Sequence, residues 1–453
     1  MIVMKFGGTS IQDADAMEQV VSIVKSKLSR RPVIVISAMA QVTDTLIRCA
    51  ELARQGRESE ADRLIENTLR KRHHETITKL VRENSRRKLA ETTIDKHLNE
   101  VKALIHGLAI LGELTPRSLS AITSYGERLS STIISEAMQE RGVNAELVDA
   151  RQIIITDEDY TKATPLMELS EARCKELLNP LLERGSVPIT QGFIGSTSDG
   201  VTTTLGRGGS DYSAAIIGAL LGAEVIEIWT DVDGVLTADP RIVPEARVLE
   251  TVTFQEASEL AYFGAKVLHP STILPAVKNN IPVHVYNTKR PESPGTHIVS
   301  GDNSEGWNDV VKSIASKKGI TIINVYSTRM LLAHGFLKSI FEVFDKFETP
   351  VDIVSTSEVN VSLTIDNTAN LQSILNQLKK FSSVTFEQDK AIVCVVGEKM
   401  RDTPGIAARV FSSIRDINVK MISQGASEIN LSFVVNEADV PMVVGKLHRE
   451  FFR

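Results

Sequence analysis

Cysteine is scarce. The three in 453 residues, Cys49, Cys174 and Cys394, are far apart and form no CxxC pair. That excludes a disulfide framework and a zinc site, and they read as reduced thiols of a cytosolic protein. The nine histidines show no HExxH spacing, and His73-His74 lies in a charged stretch that reads as a solvated face. There is no run of ~20 apolar residues to span a bilayer, and the N-terminus lacks the basic-then-apolar layout of a signal peptide. Neither GxxxxGK[ST] nor GxGxxG occurs. A basic excess is also missing: the formal charge is −6, against a general nucleic-acid binder. With 42% hydrophobic and 24% charged residues, the chain has the composition of a globular protein of two or three domains.

Two glycine-rich turns carrying full positive charges stand out. The first is Lys5-Phe6-Gly7-Gly8-Thr9-Ser10 and the second Leu205-Gly206-Arg207-Gly208-Gly209-Ser210-Asp211. Each precedes a segment with a helical pattern. Glycines let backbone N–H groups converge on an anion, and a helix start adds positive potential. Glycines also simply end strands, but two such turns with basic residues and hydroxyls suit a phosphoryl transferase holding a polyphosphate beside an anionic co-substrate.

Apolar strand-like runs alternate with helical ones to about residue 290: Val33–Ala38, Val187–Phe193, Val225–Thr230 and Ile281–Tyr286, with the helix Asp211–Leu221 linking two of them. This is βαβ logic, and uninterrupted apolar strands imply a parallel sheet covered on both faces. Residues 45–110 are rich in Arg, Glu and Lys at helical spacing and read as a helical insertion over the substrate side, its charge a solvated face. Residues 291–310 have a linker composition.

A repeat follows: 351–363 resembles 419–433, and each copy is preceded by a helix opening on glycine, at Gly335 and Gly405. The tail therefore holds two βαββαβ units. The second lacks a sixth element, and a spare strand, 311–318, precedes the first. The expected division is 1–290, then a first unit at 319–386 inserted into a second made of 311–318 with 388–453. A half-covered sheet with glycine at its helix start suits a small amphipathic ligand, and its edges invite pairing with another copy.

The two glycine turns, Trp229-Thr230-Asp231-Val232-Asp233-Gly234-Val235 and Phe263-Gly264-Ala265-Lys266-Val267-Leu268-His269-Pro270 occur in this order. Together they resemble aspartate kinases of the amino-acid kinase superfamily, and the tail resembles paired ACT domains. The resemblance covers essentially the whole chain and stops short of any dehydrogenase, as in monofunctional forms. It implies an α/β fold, an amino-acid-kinase-like mainly parallel sheet sandwiched by helices, plus two ferredoxin-like βαββαβ (ACT) units. It also implies ATP-dependent phosphorylation of the aspartate side-chain carboxylate to 4-phospho-L-aspartate, the entry to lysine, threonine and methionine synthesis.

The residue roles follow from that resemblance. A carboxylate is already ionised near neutral pH, so the task is charge neutralisation rather than base catalysis. Lys5, with Gly7 and Gly8 N–H groups, is expected at the transferring phosphoryl group, and Asp211 shares the substrate amine or orients Lys5. Arg207 fits the α-carboxylate bidentately. Glu127 fits the ammonium, and Ser37, Thr43 and Ser210 match substrate contacts. Thr230, Asp231, Arg241 and Lys266 are expected on the nucleotide side, where Leu236 replaces a tyrosine common in the family.

ATP with Mg²⁺ is the implied cofactor, without a dedicated protein metal site. Met330, Gly335, Phe336, Leu337, Val351, Asp352, Ser357 and Glu358 match the effector pattern for lysine or threonine, with Asp352 on the effector ammonium. Pro350 and Ala333 stand where some relatives have serine. A cytoplasmic homodimer or dimer of dimers through the ACT units, with no nucleic acid or membrane partner, completes the expectation. The rivals are a glutamate or acetylglutamate kinase and a non-catalytic amino-acid sensor; neither would be expected to require this combination of Lys5, Asp211, the Glu127 loop and the tandem tail.

Overall fold

The computed structural model describes residues 1–264, 267–301, 310–326 and 335–452. They fall into two compact units, one of 1–234, 250–254 and 268–303, the other of 235–249, 255–267 and 304–453.

The strands of the first unit are β1 (Ile2–Phe6), β2 (Pro32–Ile36), β3 (Ala145–Val148), β4 (Ile155–Thr156), β5 (Val187–Gln191), β6 (Ile194–Thr197), β7 (Thr202–Thr204), β8 (Val225–Thr230), β9 (Thr251–Thr253), β10 (Val283–Asn287) and β11 (Thr296–Val299). The main sheet runs β3-β5-β2-β1-β8-β10-β11-β9, and β4, β6 and β7 form a small second sheet. From β3 to β10 every pairing is parallel. β1, β2 and β5 are buried along their whole length, as in a sheet covered on both faces, and β2 is apolar without alternation. Because β1 sits mid-sheet, Lys5 is opposite Val35 on one side and Ile228 on the other. β11 corrects the linker reading: Thr296–Val299 lies within 291–310 yet pairs antiparallel with β10. It is too short and too close to Pro and Gly residues to show in the pattern.

The helical insertion is present, with Val42–Arg54, Glu58–Leu64, Lys71–Leu80 and Asn84–Leu111 among its helices. In the last, Ala90, Ile94, Leu98, Val101, Ile105 and Leu108 are buried at helical spacing. The solvated-face reading of His73-His74 is overturned for His73. It is wholly buried and donates from Nδ1 to the Leu69 carbonyl at 2.6 Å.

Burial holds His73, His97 and His284 neutral, each near a pKa of about 4 against an ordinary 6.5. His97 is further lowered by Arg128, and His284 by its stacked neighbour His297 and by Arg30 and Lys27. The unfolded chain therefore binds more protons than the fold once the pH drops below about 6.5. Stability is full above that value and declines as the pH falls toward about 4, by roughly 1–3 kcal/mol per histidine. Urea unfolding across this interval should show a falling midpoint, and a flat midpoint would refute the assignment. The three cysteines are buried and free, and burial raises Cys49 to about 11 and Cys174 to about 12. Among the described residues no helix is long and apolar enough to cross a membrane.

In the second unit β12 (Val311–Tyr326), β13 (Val354–Thr356), β14 (Asn360–Ile365), β15 (Ser383–Gly397), β16 (Met421–Gln424) and β17 (Asn430–Asn436) form one sheet, β13-β14-β12-β15-β17-β16. β12 is shared. Its later half, from Thr321, pairs with β14 and the start of β15, while its first half, Val311–Lys317, pairs with the end of β15. Two separate apolar clusters accompany the halves, one around Ile340, Phe344 and Ile374, the other around Val410, Phe433 and Leu447. Each half has the strand order of a ferredoxin-like βαββαβ unit.

This unit also takes in 235–249 and 255–267, which the sequence reading leaves in the first 290 residues. Ser313 Oγ donates to the Leu236 carbonyl at 2.7 Å, and Thr237 Oγ1 lies 3.0 Å from His448 Nε2. Glu256, Glu259 and Tyr262, at spacing three, reach Lys312, Asn430 and Asp352.

Candidate active site

The two glycine turns, far apart in sequence, meet in the first unit at the carboxyl ends of the strands, where open α/β sheets commonly bind ligands. A cavity of about 260 Å³ is lined by Lys5, Ser37, Thr43, Glu127, Phe193 and the second turn from Gly206 to Asp211. It gathers the expected catalytic and substrate residues except Gly7 and Gly8.

Lys5 is almost buried, and its Nζ lies 2.6 Å from Asp211 Oδ1. Asp211 stands in the first turn of the helix Gly209–Leu221. Gly208 caps that helix at φ 71°, a left-handed conformation that glycine tolerates best. Arg207, beside it, is exposed and has no hydrogen-bond or ion-pair partner among the described residues, so its guanidinium is available to an anion.

Gly7 corrects one expectation. Its N–H donates to the Trp229 carbonyl at 3.1 Å, continuing the β1–β8 ladder, and is not offered to a ligand. Gly8 opens a 3-10 turn, where the first N–H has no acceptor within the turn.

The loop after β2 approaches both elements. Ser37 N–H donates to the Phe6 carbonyl at 3.2 Å, and Ala40 N–H to the Gly8 carbonyl at 3.1 Å. Glu127, on the helix Tyr125–Glu140, accepts the Ala38 N–H on Oε1 at 3.1 Å. A Cβ on Gly126 would sit 2.8 Å from the Ala38 Cβ, so glycine is what lets the helix come this close. Glu127 Oε2 is buried without a hydrogen-bond partner, and burial raises the carboxyl to about 8 against the pull of the Ala38 N–H. A buried carboxyl with one open oxygen beside a cavity is suited to a cation.

Phe193 also lines this cavity and was not singled out from sequence; its φ of 67°, unusual for a bulky residue, marks it only in three dimensions.

Of the residues expected to meet a nucleotide, Thr230 and Asp231 line a small cleft of about 30 Å³ with Thr9, Ser10, Ala16, Gln19, Thr288 and Lys289. Arg241 belongs to the second unit, exposed and paired with Asp239 at 2.7 Å. Lys266 lies outside the described residues, as does Met330 of the effector set.

Of the remaining effector candidates, Gly335 caps the helix Phe336–Lys346 at φ 84°. Phe336 and Val351 pack on the first tail core, while Leu337, Ser357 and Glu358 are exposed. Asp352 is engaged: Oδ1 accepts Tyr262 Oη at 2.8 Å and lies 2.8 Å from Lys317 Nζ. Its Oδ2 is buried without a partner.

The model of the amino acid kinase family matches residues 1–287 and that of the ACT domain residues 393–451. Lysine-sensitive aspartokinase 3 of Escherichia coli is 38% identical over 464 residues, covering 100% of this chain and 99% of that protein. The chain belongs to the aspartokinase family. Aspartokinase 1, chloroplastic, of Arabidopsis thaliana is also 38% identical, covering 99% of this chain and 80% of its own length. The solved aspartokinase III of E. coli in complex with aspartate and ADP superposes with a TM-score of 0.84 at 35% identity over the full length of both chains, and its complex with lysine and aspartate does the same.

Proposed function

We propose that this aspartokinase transfers the γ-phosphoryl group of ATP to the side-chain carboxylate of L-aspartate, the first step toward lysine, threonine and methionine. The observation that carries the proposal is one cavity holding two cations, Lys5 and Arg207, and a buried carboxyl with an open oxygen, Glu127. That charge pattern complements an amino acid with two carboxylates and one ammonium. Arg207 takes the α-carboxylate through its planar fork. Glu127 Oε2 takes the ammonium. The hydroxyls of Ser37, Thr43 and Ser210 fill in around them. The attacking carboxylate then faces Lys5, which Asp211 orients. Gly8 N–H and Lys5 neutralise charge gathering on the transferring group.

Thr230 and Asp231 are assigned to the nucleotide. Mg²⁺ would ride on the phosphates, since it keeps several of its waters and takes few protein ligands. The test is ADP release by the purified chain with magnesium-ATP and L-aspartate, run beside glutamate and N-acetylglutamate. Turnover with aspartate alone is expected, and a preference for either of the others would overturn the substrate assignment.

The tail is read as 319–386 within 311–318 plus 388–453, in keeping with the shared strands β12 and β15, after a kinase domain of 1–290 whose segments 235–249 and 255–267 pack with the tail. The three buried free thiols accord with a cytoplasmic protein, and the outer strands β13 and β16 with pairing of copies through the ACT units. The effector is assigned as lysine, in keeping with the lysine-sensitive relative. Its ammonium goes to the open Oδ2 of Asp352, beside the oxygen already held by Lys317 and Tyr262, and its carboxylate to N–H groups from Gly335 to Leu337. Asp352→Asn is expected to raise the lysine concentration for half-inhibition at least tenfold, since removing one buried charge partner costs about 2–5 kcal/mol. Unchanged inhibition would remove Asp352 from the effector site.

A further inference from the structure

From the helical insertion, the Arg72 side chain reaches two loops that border the active site. Between the helices Glu58–Leu64 and Lys71–Leu80 the chain makes a wide i→i+5 turn, Ile65–Arg70. Such π turns add a residue to the helix and turn everything beyond them around its axis; they occur often at functional sites. Arg70, within the turn, is held by Glu66, Asp95 and Asn99. His73, just past it, is locked into the core. Arg72 lies between these anchors.

Its two terminal nitrogens go to two different loops. Nη1 donates to the Ala40 carbonyl at 2.6 Å and Nη2 to the Gln12 carbonyl at 2.7 Å. Ala40 belongs to the loop that carries Ser37 and Thr43 into the substrate cavity. Gln12 ends the 3-10 turn Gly8–Ile11 of the first glycine turn. A guanidinium can span two carbonyls with rigid, divergent donors, whereas an ammonium is a single point of charge.

The loop needs holding. Gln41, next to Ala40, has φ 68° and ψ −2°, a left-handed conformation that a residue with a side chain keeps only where its surroundings impose it. The kink at Gln41 leads directly into the helix Val42–Arg54, whose second residue is Thr43. Ala40 is fixed on both sides, its N–H by the Gly8 carbonyl and its carbonyl by Arg72.

We propose that Arg72 is a positioning residue of the kinase site, a strap from the helical insertion that ties the substrate loop 37–43 to the phosphate-facing turn 8–12. The proposal rests on the reading of that cavity as the aspartate site. Arg72 lines neither the substrate cavity nor the cleft at Thr230 and Asp231. It sets the distance between the groups that hold aspartate and those that meet the phosphoryl group, a spacing to which in-line transfer is sensitive.

The test compares Arg72→Ala and Arg72→Lys with the full-length wild type. Three readouts are needed: kcat and KM for aspartate, thermal unfolding, and hydrogen exchange of peptides spanning 8–12 and 37–43. In Arg72→Ala, kcat/KM for aspartate should fall about tenfold or more, the scale of losing hydrogen bonds from a charged donor. Exchange should rise in both loops while that of the helix Asn84–Leu111 stays unchanged. Arg72→Lys should recover little, and added guanidinium at non-denaturing concentration should restore part of the alanine variant's activity without stimulating the wild type.

Wild-type kcat/KM with wild-type exchange in either variant overturns the strap. If Arg72→Ala fails to fold, Arg72→Lys decides alone: loss supports the strap and wild-type behaviour refutes it. If the wild type itself leaves aspartate untouched, the substrate reading fails. The exchange of the two loops then still decides whether Arg72 joins them.

Discussion

Lys5→Ala is expected to lower kcat by about 10²–10³-fold, the ~2.7–4 kcal/mol that one donor aimed at developing charge commonly supplies. The geometry makes the loss specific. Lys5 sits in the middle strand of the sheet, nearly buried, with Asp211 2.6 Å away. Removing the ammonium deletes a positive charge where an anion must approach a polyanion, and it leaves the Asp211 carboxylate in the site uncompensated. The defect should therefore exceed a simple deletion, and Lys5→Ala with Asp211→Ala should recover part of it. Initial rates at saturating aspartate and ATP measure the effect. Turnover close to wild type in Lys5→Ala would eliminate the role.

The second large effect concerns Glu127. With Oε2 unpartnered and burial raising its pKa to about 8, the carboxyl is mostly protonated at neutral pH while the site is empty. Only the carboxylate pairs with an ammonium. Aspartate binding near neutrality should thus expel a proton, and KM for aspartate should fall as the pH rises toward about 8. Glu127→Gln keeps the shape and the Ala38 contact but cannot ionise. It should raise KM by the cost of losing one member of a buried pair, about 2–5 kcal/mol, and abolish this limb of the pH profile. Calorimetry in buffers of different ionisation enthalpy would count the proton directly. Binding without proton release, or a glutamine variant with wild-type KM, would assign the ammonium elsewhere.

Much of the site was legible in the sequence because its parts are local patterns. Lys5 before Gly7-Gly8, and Arg207 among Gly206, Gly208 and Gly209, combine charge with turn chemistry inside a few residues. The largely apolar runs Val33–Ala38, Val187–Phe193 and Val225–Thr230 indicated a covered parallel sheet. Three features were not legible. Gly7 looked like a ligand donor because nothing local shows that the Trp229 carbonyl, over 200 residues away, takes its N–H. His73 looked solvated because its neighbours are charged, yet helix rotation turns it inward. Arg72 looked like one charge in a run of charges, and its acceptors are backbone carbonyls, which carry no sequence signal.

By itself the sequence determined the class of fold, the two glycine-rich turns with their charges and the repeated tail, since each is encoded by spacing along the chain. Only the tertiary structure decided that Glu127 keeps an open buried oxygen, that Asp352 already holds Lys317 and Tyr262, that 235–249 and 255–267 pack with the tail, and that a residue of the helical insertion ties two loops together. Those outcomes depend on burial and on partners distant in sequence. A group's desolvation and its hydrogen-bond acceptors come into being only when the chain closes on itself.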